Sequence, residues 1–368
     1  MEKFYRIALG MVYGIGSISA RKILSDAGSA EAAFHLDRND LLSIPGVGSV
    51  MADRMLDKTV FDRARKELDY IRKNNIKCHF IDETDTYPER LGYCEDAPLL
   101  LYTRGRLEVD GRKTLSIVGT RRPSGYGLDM CRKLVRDLAA RYPDLVVISG
   151  LAYGIDHCAH KTAIECGLET VAVLGHGLKH MYPAMHRNIA RKIEESGALV
   201  TDFPSYEKPE RNNFIKRNRI IAGLSQATVV VESGSRGGAL ITADIANSYN
   251  RDVFAFPGRI TDTSAAGCNN LIKSHRASLI EDYKDVEYQL GWDPPLKTRD
   301  NIQKSIFREL NQEEKIIMEV LESEGVATVD LICFRTGLPV SRISGILLNL
   351  ELEGMILAMP GNCYRRAL

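Results

Sequence analysis

Six apolar runs alternate with helix-like segments across the middle of the chain. Each run is rich in β-branched residues, whereas the segments between the runs repeat apolar residues at helical spacing. The runs are LSIVG (115–119), LVVISG (145–150), TVAVLG (170–175), ALVT (198–201), ATVVVE (227–232) and DVFAFPG (252–258). This alternation predicts an α/β fold, a doubly wound parallel sheet with crossover helices.

Glycine-rich loops follow four of the predicted strands, and three of the four loops carry Arg or Lys. The loops are VGTRRPSGYG, SGLAYGID, LGHGLKHMYP and VESGSRGGALIT. In doubly wound folds, ligands bind beyond the carboxyl ends of the strands. The sequence therefore predicts that these loops form one rim that binds phosphate.

The turn SGLAYGIDHCAH joins a predicted strand to a predicted helix. Gly150 and Gly154 allow a sharp turn and a close approach to a ligand, and the free N–H groups of the new helix favour an anion. The alternative is an ordinary strand–helix turn capped by Asp156.

The first eighty residues contain a repeat. Tyr13-Gly14-Ile15-Gly16 is echoed 32 residues later by Pro45-Gly46-Val47-Gly48, and an alanine follows four residues after each second glycine. The pattern resembles a tandem helix-hairpin-helix, which binds a nucleic-acid backbone. Residues 1–80 carry 13 basic and 10 acidic side chains, net +3, which permits phosphate contact. A purely structural helical cap is the alternative.

The C-terminal part begins after a proline-containing segment. Residues 291–304 are predicted to form a linker, and residues 305–368 show three helical periods and a terminal hairpin, as in a winged-helix domain. The candidate recognition helix, VSRISGILLNLELEG, has one arginine and two glutamates. Such a surface favours a protein contact or a structural role over reading a DNA groove.

Composition narrows the class of protein. The chain has 368 residues, a net charge of +1 and eight cysteines without a C-x-x-C pair, which disfavours a disulfide framework or a zinc ribbon. No secretory signal and no run of about 18 apolar residues is present, so we expect a cytoplasmic protein without a membrane span.

Taken together, the motifs resemble the DNA-processing protein A family (DprA or Smf). They are VGTRRPSGYG, SGLAYGIDHCAH, VLGHGLKHMYP, FIKRNRIIAGLS, VVVE with SRGGALITA, and FAFPG with GCNNLI, in this order. The resemblance implies an extended Rossmann-like domain over residues 81–290, in which residues 82–111 are expected to be a connecting stretch. It also implies a homodimer that binds and protects incoming single-stranded DNA during natural transformation and loads the RecA recombinase onto it. A single-strand-binding protein is a further expected partner.

Basic residues support a phosphate ligand independently. Arg121 and Arg122 follow the strand end at Gly119, where two guanidinium groups can clamp phosphates. A second group lies at a predicted helix start, where cations oppose the helix dipole and so indicate a bound anion. Its members are Lys216, Arg217, Asn218 and Arg219.

Other rim candidates have plain structural alternatives. Phe214 stacks on a base in one interpretation and packs against the core in the other. Lys179 and Tyr182 belong either to the binding rim or to a solvated loop. Gly237-Gly238 replaces a Ser-Gly pair common in the family, so a side-chain contact to phosphate is lost there while backbone N–H groups remain.

Catalysis and metal binding are not expected. Asp156, His157 and His160 fit a structural role in their turn, and no Glu or Cys stands at a spacing that completes a metal site. The chain lacks G-x-x-x-x-G-K-[ST], and its first strand turn is not G-x-G-x-x-G, so neither ATP hydrolysis nor a dinucleotide cofactor is predicted.

The leading hypothesis is therefore a non-enzymatic mediator of recombination. The alternative is a nucleotide phosphoribohydrolase of the lysine-decarboxylase-like type. Enzymes of this type share the motif P-G-G-x-G-T-x-x-E. The corresponding stretch, residues 256–261, lacks the second glycine and the glutamate. A third possibility is an interaction scaffold whose basic residues only aid solubility; steep salt dependence of nucleic-acid binding would argue against it.

Overall fold

A nine-stranded sheet forms the centre of the larger of two compact units, residues 1–294 and 295–368. The structure, a computed structural model, describes residues 1–292, 310–353, 355–359 and 362–366. The strands of this sheet are β1 (Lys77–Phe80), β2 (Leu100–Gly105), β3 (Thr114–Val118), β4 (Val146–Ser149), β5 (Glu169–Val173), β6 (Ala198–Thr201), β7 (Ala227–Val230), β8 (Asp252–Ala255) and β9 (Ser278–Leu279). Their order across the sheet is β1-β2-β6-β5-β4-β3-β7-β8-β9.

The six predicted runs form strands β3 to β8, all parallel, which confirms the doubly wound α/β fold. The chain adds β4, β5 and β6 on one side of β3 and then crosses to place β7 and β8 on the other side. The winding direction therefore reverses between β3 and β7. A crevice for a ligand forms at such a switch point.

The sheet edge formed by β1 and β2 differs from the sequence prediction. The stretch 82–111 contains β2, which pairs antiparallel with both β1 and β6. β2 is not joined to its neighbours by crossover helices, so the strand–helix alternation that revealed the parallel strands gave no signal here. The run APLLLY is instead part of an antiparallel extension of the sheet.

Helices cover both faces of the sheet. After β2 they are α8 (Gly125–Arg141), α9 (Ile155–Glu165), α10 (Arg187–Ser196), α11 (Arg211–Leu224), α12 (Gly238–Ser248), α13 (Ala266–Lys273) and α14 (Tyr283–Leu290). Buried residues of α8, α9 and α14 pack in one core, and those of α11, α12 and α13 in another. The two cores take alternate residues of the central strands, for example Val147 and Val146. Each strand is thus buried on both faces, as its continuous apolar sequence requires.

The N-terminal helices contain the two glycine repeats. They are α1 (Glu2–Gly10), α2 (Ser17–Ala27), α3 (Ala30–Ala33), α4 (Arg38–Ser43), α5 (Ser49–Leu56) and α6 (Thr59–Lys73), and the short α7 (Glu89–Gly92) follows β1. The repeats precede α2 and α5, and their first glycines, Gly14 and Gly46, have φ of +86° and +93°. Each repeat is a turn between helices with matching geometry; its role in nucleic-acid binding stays a prediction.

The N-terminal helices share one hydrophobic core with α10 and one face of the sheet, including Ala172 and Leu199. The buried Glu67 of α6 reinforces this contact, because its carboxylate accepts hydrogen bonds from Ser205 N at 2.9 and 3.1 Å and from Ser205 Oγ at 2.6 Å. The domain boundary predicted at residue 80 therefore stays a proposal, since the core formed by the N-terminal helices continues into residues of the sheet.

The second unit contains the helices α15 (Gln312–Glu324), α16 (Val329–Thr336) and α17 (Val340–Leu352) and the strands β10 (Val326–Thr328), β11 (Ile356–Met359) and β12 (Cys363–Arg366). The strands form an antiparallel sheet in the order β10-β12-β11. Ile317, Ile332 and Leu347, one from each helix, are completely buried in its core. This is the predicted winged-helix arrangement. Residues 293–304 of the predicted linker lie outside the described residues.

In the described parts of the chain, no single helix is long and apolar enough to cross a membrane. Helices α16 and α17 reach the required length and composition only when counted together, across a bend of 113°.

Candidate nucleic-acid interface

A groove of about 810 Å³ opens at the switch point between β3 and β7. The loop after β3, the turn after β4, helix α11 and the start of α12 form its walls. Its charged lining residues are five arginines and one aspartate, namely Arg121, Arg122, Arg211, Arg217, Arg236 and Asp156. Positive charge is therefore concentrated here in a chain whose net charge is only +1.

Four of these arginines are exposed: Arg121, Arg122, Arg211 and Arg236. Within the described residues, the guanidinium groups of these four arginines form no ion pair or hydrogen bond, whereas that of Arg219 pairs with Asp202. Guanidinium groups without a carboxylate partner are suited to bidentate contacts with phosphate oxygens. They come from three separate segments of the chain, which the fold brings to one groove.

Two glycines allow the loops of the groove to pack closely against neighbouring segments. A Cβ at Gly119 would lie 2.6 Å from Ile155 Cγ1, and a Cβ at Gly154 would lie 2.2 Å from the carbonyl oxygen of Thr120. Gly154 also has a φ of +79°, which disfavours other residues. The turn after β4 therefore fixes the position of the loop that carries Arg121.

Arg217 forms the buried floor of the groove and is 4% exposed. Its guanidinium donates hydrogen bonds to the carbonyl oxygens of Gly150, at 2.7 Å, and Val173. A Cβ at Gly150 would lie 2.6 Å from this guanidinium, so glycine is needed to admit it. Burial lowers the pKa of Arg217 to about 10, which leaves it charged at neutral pH. Arg217 thus holds two strand ends together and adds positive charge to the floor of the groove.

Asp156 is the acidic residue of the groove, and it is 7% exposed. Burial raises the pKa of its carboxyl, and the charge of Arg217 opposes that shift. Its Oδ2 accepts a long hydrogen bond of 3.4 Å from Ala152 N within the turn. The structural role of Asp156 in this turn stays a prediction. The residue that caps α9 is Gly154, so Asp156 lies in the first turn of the helix rather than at its cap.

Aromatic rings occupy the groove beside Arg121. The centroid of the Phe214 ring lies 5.6 Å from the centroid of the Tyr182 ring. It lies 5.7 Å from the guanidinium carbon of Arg121. Phe214 is half-buried over Gly175, whereas Tyr182 is 41% exposed. Phe214 therefore packs against the backbone after β5 and also lines the groove. Stacking of a base on its ring stays a prediction.

The side chains of residues 216–219 point to different sides of α11. At about 100° per residue, Phe214, Asn218 and the preceding Arg211 share one side of α11, whereas Lys216 and Arg219 point elsewhere. Arg219 pairs with Asp202 and donates to the carbonyl oxygen of Asp96, and neither it nor the exposed Lys216 lines the groove. Asn218 does line it and accepts from Arg217 Nε at 3.3 Å.

Lys179 also lies apart from the groove lining, with its ammonium 4.2 Å from the centroid of the Tyr206 ring. The sequence could not separate these cations from the lining ones, because they occur in the same glycine-rich or basic segments.

A family model for the DNA recombination-mediator protein A matches residues 78–291, and one for the DprA winged-helix domain matches residues 307–362. The chain belongs to the DNA recombination-mediator protein A family. The resemblance seen in the motifs is thereby confirmed, and the groove lies within the matched region.

Individual members of the family align over most of their length. A putative DNA processing protein DprA from Mycobacterium tuberculosis is 33% identical over 341 residues, which cover 89% of this chain and 85% of that protein. The crystal structure of DprA from Streptococcus pneumoniae superposes with a TM-score of 0.64 and 30% identity, covering 78% of this chain and 97% of that one. The structure of DprA from Helicobacter pylori, described for its single-stranded DNA binding mode, gives a TM-score of 0.53 at 24% identity over 60% of this chain and 97% of that one, and supports the fold.

The Gly237-Gly238 departure from the family pattern lies at the groove wall. Gly237 is the N-cap of α12 and makes no side-chain cap hydrogen bond. A Cβ at residue 237 would lie 2.1 Å from Ser233 Oγ, so a serine here would require that hydroxyl to move. The neighbouring Arg236 lines the groove and adds a positive charge to this wall.

The histidines after the turn make contacts within the fold. His160 is completely buried, and its Nδ1 lies 2.7 Å from Thr170 Oγ1. The His157 ring lies 4.5 Å from the His186 ring, and His186 Nδ1 is 2.9 Å from the carbonyl oxygen of Leu151. Across the described residues, no three His, Cys, Asp or Glu side chains are arranged to hold a metal ion.

Neither Arg211 nor Arg236 was identified as a groove residue from the sequence. Arg211 is the first residue of α11 and follows Pro209 and Glu210. The proline near a helix start was the available signal, because it places the next residues at the exposed N-terminus of the helix.

Proposed function

We propose that the chain binds single-stranded DNA in the groove and acts as a recombination mediator without chemical turnover. The observation that carries the proposal is the set of four exposed, unpaired arginines around one groove, with a fifth arginine beneath them. Charge of this kind contacts the phosphate backbone, which is common to all sequences. The single-stranded DNA binding mode described for the Helicobacter pylori relative supports this choice of ligand.

The site residues of the proposal fall into two groups. Arg121, Arg122, Arg211 and Arg236 contact phosphates, and Tyr182 and Phe214 offer faces on which a base can stack. Arg217, Asn218 and the glycines at 119, 150, 154, 237 and 238 shape the walls and bring backbone groups close to the strand.

Membership in a recombination-mediator family extends the proposal to partners. We expect the protein to protect incoming DNA during natural transformation and to load RecA onto it, acting as a homodimer and in contact with single-strand-binding protein. The winged-helix unit serves a protein contact in this scheme, because the exposed side chains of α17 include Leu348 and Leu352.

Phosphoribohydrolase activity is the competing function. The acidic side chain that lines the groove, Asp156, is buried and engaged with its own turn, and the segment from Phe256 to Thr261 lacks the glutamate of those enzymes. We therefore expect no release of base from nucleoside monophosphates. Free adenine produced over many turnovers would contradict the proposal.

The binding proposal is tested with the double variant Arg121→Ala/Arg211→Ala and fluorescence anisotropy on oligothymidine at moderate salt. We expect affinity to fall by about tenfold or more, because two phosphate contacts are lost. The matched control is Lys133→Ala/Lys273→Ala, which removes the same charge from two exposed helix positions outside the groove. Equal affinity of the two double variants would contradict the groove assignment.

A further inference from the structure

A second basic cleft, of about 860 Å³, lies between α8 and α9. Arg121 and Arg122 line both this cleft and the groove at the switch point. The two depressions are therefore neighbours that meet at one pair of arginines. We call the second depression the α8–α9 cleft.

The charge of the α8–α9 cleft resembles that of the groove. Beyond the two shared arginines, it is lined by Arg132 and Arg136 of α8 and by Lys161 of α9, whereas its acidic lining residue is Glu165. Arg132 and Arg136 are four residues apart, so they lie on the same side of their helix. Five cations against one carboxylate give the cleft an excess of positive charge.

Local ion pairs leave much of this charge available. Arg132 pairs with Asp129 at 3.1 Å and Lys161 pairs with Glu165 at 3.7 Å, and both are pairs between exposed or half-exposed side chains of one helix. Such pairs are weak and are readily exchanged for a phosphate. Within the described residues, the exposed Arg136 forms no ion pair or hydrogen bond.

An aromatic side chain also lines the α8–α9 cleft. Tyr153 belongs to the turn after β4 and is 39% exposed. Its ring centroid lies 5.2 Å from that of the His186 ring in an edge-to-face arrangement, which supports the side chain. Cations that follow a path, together with an exposed aromatic side chain, are the features that bind a single strand without sequence preference.

We propose that the bound strand does not end in the groove but passes over Arg121 and Arg122 into the α8–α9 cleft. There Arg132, Arg136 and Lys161 contact further phosphates, and Tyr153 stacks on a base. This inference rests on the proposed function and adds a second segment to the binding path. It requires that longer strands bind more tightly than those that fill the groove alone.

The test measures affinity for oligothymidines from about 4 to about 16 nucleotides, a range that spans typical single-strand site sizes. The cleft variant is Arg132→Ala/Arg136→Ala/Lys161→Ala. Its control is Lys133→Ala/Lys273→Ala/Lys284→Ala, which removes the same charge from exposed positions that line neither depression. Circular dichroism melting shows whether each variant folds.

We expect the cleft variant to bind short oligonucleotides like the wild type but to lose the gain in affinity on lengthening. For the longest strand, its slope of log affinity against log salt should be smaller by about 2, since roughly three contacts are removed at about 0.7 each. A cleft variant that matches the control at every length would overturn the inference, even if the groove variant is weakened. Failure of the wild-type protein to bind any of these strands would instead overturn the proposed function itself.

Discussion

At the scale of single residues, the buried polar groups around the turn after β4 determine the shape of the groove. Arg217 reaches the ends of β4 and β5 only because residue 150 has no side chain. Residues 150 and 154 therefore require glycine for packing and for backbone conformation. In the sequence, these two glycines suggested a turn that binds phosphate. In the structure, each also has a packing role: Gly150 leaves room for the Arg217 guanidinium, and Gly154 leaves room for the loop that carries Arg121.

His160 shows how burial sets a protonation state. Thr170 Oγ1 donates to the carbonyl oxygen of Val147 at 2.7 Å, so it accepts from His160 Nδ1–H, and Nε2 is left buried without a hydrogen-bond partner. Burial lowers the pKa of His160 to about 3, with further lowering by His157 and Arg217. The folded protein therefore holds His160 neutral, whereas the unfolded chain protonates it near its ordinary pKa of about 6.5.

This difference predicts a pH dependence of stability. The unfolded state binds more protons between pH 6.5 and pH 3, so the contribution of neutral His160 is present above pH 6.5 and is lost as pH falls through that window. We expect His160 alone to lower the free energy of unfolding by about 2 kcal/mol between pH 7 and pH 5. Urea denaturation of wild type and His160→Gln at both pH values measures this.

The His160→Gln variant should lose less stability on acidification than the wild type, whatever its stability at pH 7. His35→Gln, at an exposed position, reports the effect of removing a surface imidazole. Identical losses for wild type and His160→Gln would show that His160 is not held neutral by the fold.

At the scale of elements, the N-terminal helices are attached to the sheet by a shared core and by one buried carboxylate. Glu67 of α6 is completely buried, and Ser205, which follows β6, is 3% exposed. Burial raises the pKa of Glu67, and the hydrogen bonds from Ser205 oppose the shift. The contact places α6 over the sheet at a fixed position.

Loss of this contact should destabilise the whole unit. Glu67→Ala leaves the buried N–H of Ser205 without its acceptor, and we expect the free energy of unfolding to fall by about 2 kcal/mol in urea denaturation. Glu67→Gln keeps an acceptor oxygen and should lose less. If both variants lose the same amount, the hydrogen bonds to Ser205 are not the source of the effect.

At the scale of the whole molecule, the sequence predicted the features that depend on local pattern. β3 to β8 are buried on both faces, and their continuous apolar runs made them recognisable. The antiparallel edge formed by β1 and β2 lacks crossover helices, and the packing of α6 on the sheet depends on contacts between distant residues. Neither of these two features produces a recognisable pattern in the local sequence.

The same distinction applies to the groove. Arg121, Arg122 and the predicted glycines at 119, 237 and 238 line the groove, because they follow strand ends that meet at one edge, whereas Gly150 and Gly154 are not among its lining residues. The part of all these residues in binding stays a prediction. Lys216 and Arg219 lie outside its lining because a helix distributes neighbouring residues around its axis. Arg211 and Asn218, by contrast, do line the groove. Which side of the helix faces the groove depends on how the helix packs against the sheet, and the local sequence does not show this.

The salt dependence of single-strand binding tests the central claim most directly. Affinity for a long oligothymidine is measured by anisotropy over a series of salt concentrations for the wild type and Arg121→Ala/Arg211→Ala. We predict a steep loss of affinity with salt for the wild type, and a slope of log affinity against log salt that is smaller by about 1.4 in the variant, at about 0.7 for each lost phosphate contact. Equal slopes and equal affinities for the two proteins would contradict the claim that this groove binds the DNA backbone.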